Sequence, residues 1–313
     1  MPVLWDDSPL PWWSQLRRRL RDDPEVWSVL LVALRDHPQT SGRLSGLRPH
    51  RPENPSDSTW FTGTWTPENT DVLVKINVTR YEQFWMTAAS GSTSGIVPRV
   101  LASDTSLNGL DFAWLVLERL PYGYDPAWGA AAFSALLQAA ARFQVFAATV
   151  DTDLVRPEGI GVIRHWVLGG RELCSEAAIL ARSLDRDWAW VTAAAEPEVM
   201  FGDLHFGNAA FRHPPPRLEA LLFDPIPRRQ PWPFEPAYLE FGCGGSGLVR
   251  EMAAIRAAQG RPTCPPDDVD RLTVLFRGWL ALLSWGIQPH KRTDAAWRTR
   301  LITYVAAAAR LDR

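Results

Sequence analysis

Apolar side chains recur at three- and four-residue intervals through Trp12, Trp13, Leu16 and Leu20, then through Val26, Leu30, Leu31 and Leu34, a period that predicts two helices over residues 11–35. Past Gly42 the period shortens and turn residues intervene. Strands are predicted over residues 44–48, 58–65 and 72–78, with Pro67, Glu68, Asn69 and Thr70 forming the hairpin turn between the last two. A helix over 80–89 and strands over 97–101 and 112–120 complete a small mixed sheet with one main helix. After Pro121 the helical period dominates, over 130–148, 171–184, 187–195, 248–258, 267–285 and 294–311, interrupted by a hairpin over 208–223 around Pro214, Pro215 and Pro216. The expected fold is therefore α+β and bilobal. Residues 1–40 form a helical extension, 41–120 a β-rich N-lobe and 121–313 a larger, mostly α-helical C-lobe.

Composition removes several functional classes. A formal net charge of -2 gives no basic field for nucleic acid or an anionic membrane, and the run of Arg17, Arg18, Arg19 and Arg21 reads as the solvated face of a helix. The apolar runs 26–34 and 279–285 fall well short of the ~20 residues that span a bilayer. With no signal-peptide pattern at the start, a cytoplasmic protein is expected, as a monomer or homodimer. Cys174, Cys243 and Cys264 have neither the number nor the spacing of a disulfide framework or a zinc site. Arginine has displaced lysine everywhere except Lys75 and Lys291, and asparagine is scarce, so either residue at a motif position carries extra weight.

Chemistry is concentrated in Phe201, Gly202, Asp203, Leu204, His205, Phe206, Gly207 and Asn208. Phosphoryl transfer asks a protein to hold phosphates and metal and to orient the attacking hydroxyl. A kinase-type solution uses one aspartate beside the hydroxyl, an asparagine five residues on at the metal, and a second aspartate at the metal across the phosphates. Asp203, Asn208 and Asp224 occur in that order, the last directly after the apolar run Ala220, Leu221, Leu222 and Phe223. Each has an ordinary structural use alone: Asp203 as a turn cap, Asn208 in a left-handed position, Asp224 at a strand end.

As a set, with Gly202 and His205, these residues resemble the H-G-D-x-H-x-x-N signature of the aminoglycoside phosphotransferase and choline kinase superfamily, which has a protein-kinase-like fold. Phe201 stands in place of the usual first histidine. The resemblance implies a catalytic base or hydroxyl-orienting role for Asp203, support from His205, magnesium ligation by Asn208 and Asp224, and ATP or GTP as the phosphoryl donor. It also implies a phosphate lysine in the strand Val72, Leu73, Val74, Lys75, Ile76, with Glu82 as its ion-pair partner. A phosphate-covering loop is expected over 51–58, where Ser56 and Ser58 replace a glycine-rich motif. Backbone groups from Glu118, Arg119 and Leu120 are expected to read adenine. Further on, Glu235 stands where an aspartate usually braces the catalytic loop, and Glu240 lies near a second acidic position. The Asp224-Pro225 pair and the stretch 241–245 bear a fainter similarity to fructosamine kinases.

The expected acceptor is a hydroxyl of a small molecule bound on the C-lobe. Polycationic aminoglycosides need many carboxylates at short range. The C-lobe offers scattered ones, among them Glu235, Asp267 and Asp268 as acceptor-binding candidates, together with tryptophans such as Trp285 that could stack on a ring or simply fill the core. These features favour a less cationic acceptor, such as a nucleoside- or peptide-type antibiotic, ahead of a sugar, amino-alcohol or fructosamine-type metabolite. A nucleotide-binding module without transfer is the reading from another class. Protein-directed kinase activity is disfavoured, because no A-P-E-like segment follows Asp224.

Overall fold

The computed structural model describes residues 23–50, 58–92, 95–157 and 160–311. The first of the two N-terminal helices expected from the sequence lies outside them. The second is present as α1 (Pro24–Asp36), started by the Asp23 carboxylate, which accepts the Glu25 amide at 3.0 Å, and by Pro24 in the first turn. The chain divides into two compact units. One runs to Gly123 and takes in Ala210–His213 and Leu221–Pro225; the other comprises Tyr124–Ala209, Pro214–Ala220 and the chain from Ile226 onward.

The first unit is built on strands β1 (Leu44–His50), β2 (Thr59–Trp65), β3 (Thr70–Val78), β4 (Val100–Asp104) and β5 (Ala113–Glu118), in the order β1-β2-β3-β5-β4. The sheet is antiparallel at every pairing instead of mixed. Helix α2 (Arg80–Ser90) carries the chain from β3 to β4 so that those two strands run the same way, but β5 is inserted between them. The expected strand 97–101 begins only at Val100, because Pro98 has no N–H to give a ladder. Asn69, at φ 50°, makes the β2–β3 turn. Alternation along β3 turns Val72, Val74 and Ile76 toward a core completed by Leu30 and Leu34 of α1, and leaves Lys75 on the opposite face.

The second unit is mostly helical: α3 (Gly129–Ala147), α4 (Ile160–Gly169), α5 (Ser175–Ala194), α6 (Phe234–Cys243), α7 (Leu248–Ala258), α8 (Pro266–Ile287) and α9 (Ala295–Ala309). Two helices expected over 171–184 and 187–195 are one. Asp187, expected as the start of the second, is buried inside α5, where its Oδ2 accepts the Ser183 hydroxyl at 2.6 Å without interrupting the helix. Helix α8 packs against α4, α6, α7 and α9, and Gly278 permits the last contact, since a Cβ there would stand 2.4 Å from that of Ala308. Helix α3, with the preceding turn, has the length and apolarity of a membrane-crossing segment, but Leu136, Leu137 and Phe143 are enclosed by the unit. Short strands β6 (Arg156–Pro157), β10 (Arg228–Pro231) and β7 (Pro197–Met200) pair in that order, and β8 (Ala209–Phe211) pairs with β9 (Ala220–Leu222). The segment from Phe201 to Asn208 is the connection from β7 to β8.

Candidate active site

In the first unit, Lys75 is 1% exposed and its ammonium makes ion pairs with both Glu82 and Asp224. The Trp60 ring lies 4.4 Å from Lys75 Nζ, a cation–π contact set by the β2–β3 register that pairs the two residues. Burial works against the lysine's charge, but the Asp224 and Glu82 carboxylates outweigh it and hold its pKa above the ordinary value. Burial, then the Asp224 charge, push the Glu82 pKa up, and the Lys75 charge opposes that rise. The place of Glu82 is fixed by the start of α2, where Thr79 accepts its amide at 3.0 Å. Asp224 follows β9 with φ at 52°, a left-handed backbone that costs a non-glycine residue about 1 kcal/mol.

The nucleotide-reading residues expected from the sequence fare unevenly. Ser56 lies outside the described residues. Ser58 is buried with its hydroxyl turned to the Asn77 carbonyl at 3.4 Å. The Glu118 and Arg119 amides are occupied, donating to the Arg99 and Asp71 carbonyls at 2.9 and 2.8 Å, and the Glu118 carboxylate is paired with Arg212. Among the described residues the Leu120 amide has no such partner, which narrows the expected reading of a base edge to that one donor.

In the second unit, the catalytic-loop candidate is pinned by alternate side chains. Phe201 and Leu204 are fully buried, the former edge-on to Phe143 at 5.5 Å, and Phe206 stacks on Tyr124 with centroids 3.7 Å apart. Gly202 sits at φ 94°, where a Cβ would fall 1.8 Å from the Ile226 carbonyl oxygen, so no other residue fits. Its amide donates to Glu235 Oε1 at 2.7 Å. Asp203 accepts from Tyr238 Oη on Oδ1 at 3.1 Å and from Asn208 Nδ2 on Oδ2 at 3.0 Å. His205 Nδ1 accepts the Gly207 amide at 3.0 Å, so a neutral ring carries its proton on Nε2, 3.4 Å from Asp203 Oδ2. Burial pushes the Asp203 pKa up, but the His205 and Tyr238 hydrogen bonds and the nearby Arg228 charge outweigh it and hold the group below its ordinary range.

A bound divalent ion would have to be met by hard oxygens. Asn208 spends its Nδ2 on the Asp203 carbonyl and carboxylate, and among the described residues nothing donates to its Oδ1. Asp224 offers a partly exposed carboxylate, and the described residues contain no cluster of three or more His, Cys, Asp or Glu able to hold a metal ion. Each of these oxygens is by itself of the hard kind that magnesium takes, an ion that uses one or two protein ligands and fills its shell with water and phosphate oxygens.

No protein-family model matches the chain, and no curated protein matches it. Solved structures do. A thermostable mutant of aminoglycoside phosphotransferase APH(4)-Ia, in ternary complex with AMP-PNP and hygromycin B, is 15% identical, with 91% of this chain and 100% of that one covered and a TM-score of 0.55. This chain has the aminoglycoside phosphotransferase fold. A choline/ethanolamine kinase family protein from Mesorhizobium loti shares that fold at 14% identity, coverages of 90% and 93% and a TM-score of 0.55. The aminoglycoside phosphotransferase of Alicyclobacillus acidocaldarius does so at 14% identity, coverages of 85% and 89% and a TM-score of 0.52.

Within this aminoglycoside phosphotransferase fold, Glu235, one of four residues expected at the acceptor, holds the Gly202 amide, and the other three make contacts elsewhere. Asp267 and Asp268 occupy the first turn of α8, where carboxylates oppose the helix dipole, and Asp268 lies 3.7 Å from Arg271. Trp285 is buried, stacked on Trp297 at 5.8 Å and overlaid by Arg292. Among the described residues, no hydrogen bond or ion pair ties any of the three to Asp203, Asn208 or Glu235. Tyr238 was missed from sequence, although it falls three residues after Glu235 and so on the same face of α6.

Proposed function

We propose that this protein is an ATP- and magnesium-dependent phosphotransferase acting on a hydroxyl of a small molecule. The observation that carries the reading is the Asp203 carboxylate, held ionised in a buried loop with one oxygen on Tyr238 and the other on Asn208. Such a group orients a hydroxyl and accepts its proton late, as bond formation to phosphorus makes that proton acidic. Lys75, kept charged by Glu82 and Asp224, is suited to the donor's phosphates, and Asp224 and Asn208 would hold magnesium. The ion, when bound, neutralises phosphate charge. Lys75 binds and aligns the donor, the Asp203 carboxylate aims the acceptor oxygen, and Tyr238 and Asn208 keep that carboxylate from rotating.

Charge near Asp203 supports a weakly cationic acceptor, of the nucleoside- or peptide-antibiotic kind. Glu235 is committed to Gly202, Glu240 to Arg277 and the first amides of α7, and Glu198 to Arg256 and Arg261, while Arg228 adds positive charge near Asp203. The carboxylates that several ammonium groups would need are already in use. The test is consumption of ATP with magnesium across a panel of antibiotics, sugars and amino alcohols, with mass spectrometry for a phosphate adduct. Transfer that is lost in Asp203→Ala, with nucleotide binding retained, is the expected result. Nucleotide binding with no adduct on any acceptor would overturn it in favour of a binding module.

A further inference from the structure

Behind the catalytic-loop candidate lies a buried polar chain that the proposed reaction does not use directly. Gln144, 1% exposed on α3, accepts from Arg256 Nη1 and Arg261 Nη1 on its Oε1, both at 2.8 Å. Arginine offers only donors, so the amide must present its oxygen to these two groups and its Nε2 to the other side. On that side is Glu235. Gln144 Nε2, a donor, and Glu235 Oε2, an acceptor, are both buried, and neither makes a hydrogen bond to any described residue. They are close enough for the amide to favour the ionised carboxylate. The arginines are themselves fixed. Arg256 is fully buried, donates to Glu198 Oε1 at 2.5 Å and to the Pro262 carbonyl, and lies 5.0 Å from the Trp232 ring, and Arg261 pairs with Glu198.

Glu198 is the ion-pair partner of both arginines. Gln144 adds no charge, but it transmits orientation from the α7–α8 connection to Glu235, whose Oε1 holds the Gly202 amide beside Asp203. We propose that Gln144, aimed by Arg256 and Arg261, is a positioning residue for phosphoryl transfer that acts through Glu235 on the backbone of the catalytic loop. The proposal rests on the phosphotransferase reading of Asp203.

The charged groups around Glu235 are Asp203 on the loop and, behind Gln144, Arg256 of α7, Arg261 of the α7–α8 connection and Glu198 of β7. Burial pushes Glu235 up to about 7, Asp203 adds to the rise, and the Gly202 and Phe201 amides and Gln144 oppose it. A carboxylate grips two amides more firmly than the acid does, so turnover rises with pH as Glu235 ionises. Gln144→Met removes a donor to the ionised form, so that rise moves to higher pH, by about one unit for a tenfold loss of stabilisation.

Three measurements on the full chain decide it. In Gln144→Met, kcat at neutral pH is expected to fall about tenfold while KM for ATP stays unchanged, and the amides of Phe201 and Gly202 exchange with deuterium about tenfold faster. In a Glu235→Gln background the same substitution adds nothing, because its path is cut. Arg261→Leu changes the profile in the same direction and carries the test if Gln144→Met does not fold. Coincident pH profiles in Gln144→Met and the parent, or an undiminished effect in the Glu235→Gln background, would overturn the proposal. If the parent transfers phosphate to no acceptor, the functional reading falls, while exchange at Phe201 and Gly202 still decides the relay: unchanged exchange ends it.

Discussion

Both oxygens of the Asp203 carboxylate already accept hydrogen bonds, so the group is weaker as a base than an exposed aspartate and better fixed in direction. Removing one of those donors exchanges direction for basicity, and in phosphoryl transfer direction matters more. Tyr238→Phe is accordingly expected to lower kcat about tenfold with KM for ATP unchanged, as read by steady-state kinetics. An increase in kcat would mean that basicity limits the reaction. Glu235 makes a separate prediction about stability. Its folded pKa of about 7 lies above the ordinary 4.5, so folding takes up a proton. The stability it contributes is full below 4.5 and is lost as pH rises through 7, amounting at most to about 3 kcal/mol. Urea unfolding at pH 5 and pH 8 should show a larger loss of stability in the parent than in Glu235→Gln, which keeps the share contributed by Glu82. The ionised form that grips the loop is thus the form that weakens the fold.

Helix α2 is the element that brings Glu82 to Lys75, and it does so from its first turn. Thr79→Ala removes the cap on the Glu82 amide and is expected to cost about 1 kcal/mol in thermal or urea unfolding, with a weaker affinity for AMP-PNP because the carboxylate is no longer seated. The elements of the first unit were readable from sequence because turns punctuate them, as with Asn69 and the two-residue alternation of β3. Lys75 and Glu82 were readable because a strand and the next helix bring neighbours in sequence together. Gln144, Arg256 and Glu198 were not, since 112 and 58 residues separate Arg256 from the other two and only packing of the second unit joins them. Asp187 shows the reverse error, in which a polar residue expected to start a helix lies inside one, with one carboxylate oxygen on Ser183 a turn away. The segment from Glu118 to Leu120 illustrates a third limit: whether the Glu118 amide is free depends on Arg99, which no local pattern reveals.

At the scale of the whole chain, the proposed donor chemistry belongs to the first unit and the proposed acceptor chemistry to the second. Magnesium and AMP-PNP are therefore expected to slow hydrogen exchange around Lys75, Glu82 and Asp224 more than in α8 and α9, and chelation of the metal should reverse much of that protection. Equal protection throughout would contradict this division of labour. The first unit gathers Asp224 from a point 149 residues beyond Lys75, through the short returns Ala210–His213 and Leu221–Pro225. A gene fragment ending at Gly123 would encode Lys75 and Glu82 but leave the lysine without its other carboxylate, and a fragment starting at Tyr124 would carry Asp224 with no sheet to receive it. Recombination after Gly123 therefore separates the partners of a single ion-pair cluster.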